Sequence, residues 1–149
     1  MAPTNGTGGG SDRGPEAVRL VLRWLDDIDP RSAVPIYDQI ATRLKAAVGG
    51  GVLGPGDPLP SVRQLAAELR INPATVIQSY RLLESEGFAE MRQGAGTFIK
   101  RAPTEDRERD RLARARRLMR RLLADAAREG LTTRDLERVW NDLLKEGTK

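Results

Sequence analysis

With 149 residues, 39% hydrophobic but only 4% aromatic, the chain suits one small domain with appendages, its core built from Leu, Ile, Val and Ala. It contains no Cys and no His. That excludes disulfides, thiolate zinc sites and cysteine nucleophiles and removes the commonest general base, so most enzyme classes are disfavoured and neither a metal nor a cofactor is expected. A formal net charge of +4 and a pI near 9.9 are compatible with a polyanionic partner without requiring one.

The start, "MAPTNGTGGGSDRGP", is polar and glycine-rich. It reads as a flexible tail over residues 1–15 rather than a signal peptide. No apolar run approaches the ~18 residues of a membrane span, so a cytoplasmic protein without membrane contact is expected. Residues 16–33 form an N-terminal extension, "EAVRLVLRWLDDIDP". Its apolar residues from Val18 to Ile28 fit neither period cleanly; a short helix is expected, with a strand as the competing reading, before Pro30 ends it.

Pro35 then opens a helix whose stripe is Ile36, Ile40, Leu44 and Val48, with Tyr37 and Ala47 beside it. "GGGVLGPGDPLP" must be a turn-rich connection, with residues 57–60 extended. In the next helix Ser61 and Gln64 form a capping-box pair, and Val62, Leu65, Ala66 and Leu69 mark the buried face. After a very short connection, "INPATVIQSYRLLESEG" supplies a third helix. Asn72 caps it, Pro73 suits its first position, and Gly87 closes it. Its inward stripe is Val76, Tyr80 and Leu83, with Ile77 and Leu82 on its flanks. "FAEMR" and "TFIK" are strand candidates joined by "QGAG", whose glycines permit a tight hairpin. Leu59 and Ile71 join Val62, Leu65, Val76 and Tyr80 as core residues.

This order of elements is that of a winged helix-turn-helix, predicted over residues 34–101. The fold class is therefore mainly α (α+β), with a short α-helical tail over residues 102–149. In the tail one helix carries Leu112, Ala115, Leu118, Met119, Leu122, Leu123 and Ala126 along one side, ending at Gly130. A second is capped by Thr132 with Asp135, Leu131 able to staple onto Leu136, and shows Leu136, Val139, Trp140, Leu143 and Leu144. Its neighbour's "RARRLMRR" reads more simply as a solvated side than as a second nucleic-acid site.

The segments "PIYDQI", "GPGDPLPSVRQLA", "NPATVIQSYRLLESEGF" and "RQGAGTFI" occur in the order and spacing of the DNA-binding domain of GntR-family transcriptional regulators. The chain resembles that family from residue 34 to about 100. Its short two-helix tail resembles the YtrA-type branch, whose members lack the large effector domain of their relatives. The N-terminal 30 residues are less typical of that branch.

The resemblance implies a double-stranded DNA operator as partner, and the residues agree. A recognition helix reads base edges with its first turn in the major groove. There Asn72 and Thr75 offer short hydrogen-bonding groups, Ala74 can meet a thymine methyl, Pro73 adds rigidity, and Gln78 follows one turn on. By resemblance Arg63 reaches a guanine or the backbone from the preceding helix, where Ser61 meets a phosphate. Arg92, Gln93, Gly94 and Gly96 form the wing, its tip in or beside the minor groove, with Lys100 or Arg101 near phosphates. Plainer readings stand beside these: Ser61 and Asn72 as caps only, Arg63 as a solvated residue, "QGAG" as an ordinary hairpin.

Residues 34–101 carry eight Lys or Arg against six Asp or Glu, so placed groups rather than bulk charge must carry binding. The tail's apolar stripes exceed what its two helices can cover between themselves. Leu118, Leu122, Val139, Trp140, Leu143 and Leu144 are therefore expected to form a homodimer contact. The expected function is a dimeric repressor of an inverted-repeat operator, possible targets including a transporter operon. The alternative is a DNA-binding adaptor that docks proteins through its N-terminal extension. A small-molecule effector at the dimer interface stays open.

Overall fold

The computed structural model describes residues 13–100 and 108–147; the glycine-rich start up to residue 12 and Arg101 lie outside them. The elements run α1 (Gly14–Trp24), α2 (Ile36–Gly49), α3 (Val62–Leu69), α4 (Pro73–Ser85), β1 (Ala89–Arg92), β2 (Gly96–Ile99), α5 (Glu108–Arg128) and α6 (Thr133–Gly147). The fold is mainly α with a small two-stranded wing. It divides into two compact units, Met1–Ala102 and Pro103–Lys149. Among the described residues no helix is long and apolar enough to cross a membrane.

The N-terminal extension is helical up to Trp24 and continues through turns and bends to α2. Ala17, Val21 and Leu25, spaced four apart, are at most 1% exposed and join the core. Val18, Leu20, Leu22 and Trp24 are half-buried on its flanks, and apolar residues on more than one side are what blurred the period. Gly14 and Pro15, assigned to the tail by composition, form the first turn, where proline loses no needed hydrogen bond. Arg13 donates through Nη2 to the Val52 carbonyl at 3.2 Å.

Helix α2 buries Ile40, Ala41, Leu44 and Ala47 and packs chiefly on α4. Gln39 ties down the loop before it, donating to the carbonyls of Asp29 and Val34, both at 2.8 Å, and accepting from the Asp29 amide at 3.0 Å. Between α3 and α4 only three residues intervene, and Arg70 turns the chain in the left-handed region at φ 55°. Ile71 then donates back to the Ala66 carbonyl at 3.0 Å.

Strands β1 and β2 pair antiparallel, with Ala89 opposite Ile99 and Arg92 opposite Gly96. Ala89 and Ile99 are buried, which sets the register against a one-residue slip. The expected extended piece lies along β2: Leu59 donates to Thr97 O and Ile99 to Asp57 O, each at 2.9 Å. The wing is thereby tied to the segment that leads into α3.

In the second unit Thr132 caps α6 reciprocally with Asp135. The Thr132 amide and hydroxyl both donate to Asp135 Oδ2 at 2.7 Å, and the Asp135 amide returns to Thr132 Oγ1 at 3.3 Å. These bonds hold the Asp135 carboxyl below its ordinary pKa. Ala126, at 5% exposure, is the one buried hydrophobic residue of α5 and α6 among the described residues.

Candidate nucleic-acid interface

Two capped helix starts organise the surface. Ser61 Oγ accepts from the Gln64 amide at 3.0 Å, and Asn72 Oδ1 accepts from the Ala74 amide at 2.9 Å. Each cap fixes the first turn that it opens. The Asn72 carboxamide nitrogen and the second lone pair of each oxygen are left for another contact.

The first turn of α4 is also braced from behind. Ser79 is fully buried, and its hydroxyl lies 3.0 Å from both the Thr75 and the Tyr37 carbonyls. It thus couples the start of α4 to the first turn of α2. One residue on, Tyr80 donates its hydroxyl to the Pro60 carbonyl at 2.7 Å, fixing α4 against the entry of α3. Burial raises the Tyr80 phenol well above its ordinary pKa, so it stays a neutral donor.

On the opposite side of α4, Asn72, Pro73, Ala74 and Gln78 are exposed and Thr75 is half-exposed. These sequence-chosen residues lie together at one end of the helix. Arg63 is exposed on the first turn of α3 and makes no hydrogen bond or ion pair among the described residues, which leaves its guanidinium available. Arg81, which the sequence motifs do not single out, shares the outward face at i+3 from Gln78. The signal was simple helical spacing.

Ile77 corrects an expectation. The sequence placed it on the flank of the inward stripe, but it is 38% exposed and faces outward, in line with Ala74 and Arg81. Apolarity alone does not bring burial: Val76, Ser79, Tyr80 and Leu83 fill the inward side.

In the wing Gln93, Gly94, Ala95 and Gly96 form an exposed tip. Gly94 has φ +76° and Gly96 φ +117°, both in territory that suits glycine. Arg92 is already engaged: Nε and Nη2 donate to Glu90 Oε1 at 3.0 and 2.8 Å, and the guanidinium sits 4.5 Å over the Phe98 ring. Glu90 and Arg92 are the only charged residues between 89 and 99, so their pairing leaves the wing without net charge.

In the second unit Leu118, Leu122, Val139, Trp140, Leu143 and Leu144 are all exposed, Leu118 by 68% and Trp140 by 54%. A trough of about 490 Å³ runs between α5 and α6, lined by Met119, Leu122, Leu123, Leu136, Val139, Trp140 and Leu143 among others. Leu118 and Leu144 are not among its lining residues. No group of acidic side chains able to hold a metal ion occurs among the described residues.

Against known proteins, the family described as bacterial regulatory proteins, gntR family, matches residues 36–99. The HTH-type transcriptional repressor YtrA of Bacillus subtilis is 38% identical over 119 residues, covering 80% of this chain and 88% of that one. A transcriptional antiterminator from Listeria monocytogenes superposes with a TM-score of 0.55 at 28% identity, over 78% of this chain and 90% of the other. A transcriptional regulator from Oenococcus oeni does so with a TM-score of 0.51 at 30% identity, over 79% and 98%. The family match spans the two capped helices and the wing, and the chain belongs to the GntR family of DNA-binding transcription regulators, which are not enzymes.

Proposed function

We propose that the protein is a homodimeric repressor that binds an inverted-repeat operator and blocks promoter access. The observation that carries this reading is the start of α4: small or uncharged side chains on an exposed first turn, braced from behind by Ser79 and Tyr80. A first turn of that kind approaches base edges closely, where a long charged side chain would hold the backbone away. In this reading Asn72, Pro73, Ala74, Thr75 and Gln78 face the major groove. Arg63 reaches a guanine or the backbone, and Ser61 a phosphate at the start of α3. Arg92, Gln93, Gly94 and Gly96 address the minor groove.

The second unit supplies the dimer. Leu118, Leu122, Val139, Trp140, Leu143 and Leu144 present an apolar surface that a two-fold copy would cover. Two such copies set recognition helices about 34 Å apart for successive major grooves. The protein acts in the cytoplasm, and a transporter operon is its proposed target by analogy with the YtrA-type branch. Burial of Ala17, Val21 and Leu25 speaks against α1 as a free docking helix, since its strongest apolar face already belongs to the core.

Selection of bound fragments from genomic DNA tests the reading and yields operator and regulon together. On that operator Arg63→Ala and Thr75→Ala each weaken specific binding by about 1–3 kcal/mol with thermal stability nearly unchanged. Footprints identical to wild type for both variants would contradict these site assignments. Sedimentation of the double variant Trp140→Asp, Leu144→Asp gives a monomer; a persistent dimer would remove the tail from the interface.

A further inference from the structure

Helix α4 presents one large hydrophobic side chain outward among its described residues, Ile77, at 38% exposure. On an ordinary surface a lone exposed isoleucine requires no special explanation. Here it stands one turn from the first turn of the recognition helix, at i+3 from the exposed Ala74 and i+4 before the exposed Arg81. Neither local preference nor core packing calls for isoleucine at this place. Its β-branch makes it a middling helix former, and the inward side is filled by Val76, Ser79, Tyr80 and Leu83.

We infer that Ile77, together with Ala74, reads thymine C5-methyl groups in the operator half-site. This rests on the proposal that the protein binds a specific operator through α4. In the major groove the thymine methyl is the one apolar group that a base edge presents. Isoleucine has no donor or acceptor to offer the amino and carbonyl groups of a G·C pair. A G·C pair under Ile77 would lose water from those groups and gain no partner, which disfavours it.

Helix geometry sets the spacing. Residues at i and i+3 hold their Cβ atoms about 5–6 Å apart, against a rise of about 3.4 Å per base step. The two apolar side chains therefore cover methyls one or two steps apart. Exposed Gln78 and Arg81 lie beside this strip on the same outward side. The half-site core is thus an A·T-containing element recognised partly by shape-fitting apolar contact, with specificity that hydrogen-bond donors alone would not give.

The test uses the full-length protein and duplexes carrying the sequence enriched by fragment selection. Each thymine of one half-site is replaced in turn by deoxyuridine, which deletes the methyl and keeps every hydrogen-bonding group. At one or two positions the substitution weakens wild-type binding about fourfold, the worth of one buried methyl. Ile77→Ala weakens binding to the thymine duplex and abolishes the sensitivity at its own position, while melting as wild type does. Uracil tolerated at every position overturns the inference. So does an Ile77→Ala variant that keeps the full sensitivity. If no sequence is enriched at all, operator binding itself fails, which is a separate outcome from a selected operator that is indifferent to its methyls.

Discussion

Tyr80→Phe removes one oxygen and nothing else, so its consequences follow from a single bond. The hydroxyl donates at 2.7 Å to the carbonyl of Pro60, Tyr80 is 4% exposed, and Pro60 is among the fully buried side chains. Phenylalanine fills nearly the same space but leaves that carbonyl without this donor. The expected cost is about 1–3 kcal/mol, the penalty of an unsatisfied buried acceptor rather than the smaller net value of a hydrogen bond. With a urea dependence of about 1–3 kcal/mol per molar, the unfolding midpoint falls by roughly 1 M.

Burial of the same hydroxyl predicts a pH dependence. Burial raises the folded phenol above the value of about 10 that it has in the unfolded chain. Above that pH the unfolded state releases the proton while the folded state retains it, so the unfolded state binds fewer protons and stability falls as pH rises. The slope is about 1.4 kcal/mol per pH unit, beginning near pH 10. Tyr80→Phe lacks this component, so the difference in stability between the two proteins narrows from pH 10 upward. Urea titrations at pH 8, 10 and 11 measure both effects. An unchanged midpoint at pH 8, or parallel stabilities across the alkaline range, would refute the reasoning that this hydroxyl is a buried, desolvated link between the two helices of the motif.

Two further substitutions probe the backbone. Gly96→Ala places a side chain at φ +117°, at a strain of about 1–3 kcal/mol; the hairpin distorts, and hydroxyl-radical footprinting loses the minor-groove protection assigned to the wing. Protection equal to wild type would take the wing tip off the DNA. Arg70→Gly relieves the left-handed turn at φ 55°; steric relief of about 1–2 kcal/mol, less the added freedom of the unfolded chain, leaves a gain of about 0.5–1 kcal/mol by thermal or urea unfolding. A loss of stability would mean that the Arg70 side chain contributes packing that the turn geometry does not explain.

What the sequence disclosed and what it withheld divide along the range of the forces involved. The caps at Ser61, Asn72 and Thr132 were legible because each is a bond between residues two or three apart, and such bonds depend little on the rest of the fold. The wing was legible because "QGAG" lies between two short alternating segments. The extension was ambiguous because α1 is half-buried on its flanks as well as buried along Ala17, Val21 and Leu25, so no single face stands out. The Arg92–Glu90 pair over Phe98 depends on a register that places Glu90 opposite Phe98, which no local pattern reveals. Ile77 was misplaced for a related reason: hydrophobicity identifies a preference for leaving water, not the surface that will provide the cover.

That distinction bears on how the regulator can change its target. Along α4 the inward residues Val76, Ser79, Tyr80 and Leu83 are buried and fixed by the core, by Tyr37 O and by Pro60 O. The outward residues Ala74, Ile77, Gln78 and Arg81 are exposed and contribute little to stability, since substitutions at solvent-facing helix positions are usually within about 0.5 kcal/mol. In the proposed reading, specificity and folding are therefore written on opposite sides of one helix, and the outward side can vary without disturbing the inward one. Bulk charge adds little to the choice of site, because residues 34–101 carry only eight Lys or Arg against six Asp or Glu. In the proposed reading, discrimination between operators then comes from these outward groups together with Arg63 and the wing, and a change at Ile77 alone should alter which A·T-containing half-sites are bound while the protein folds as before.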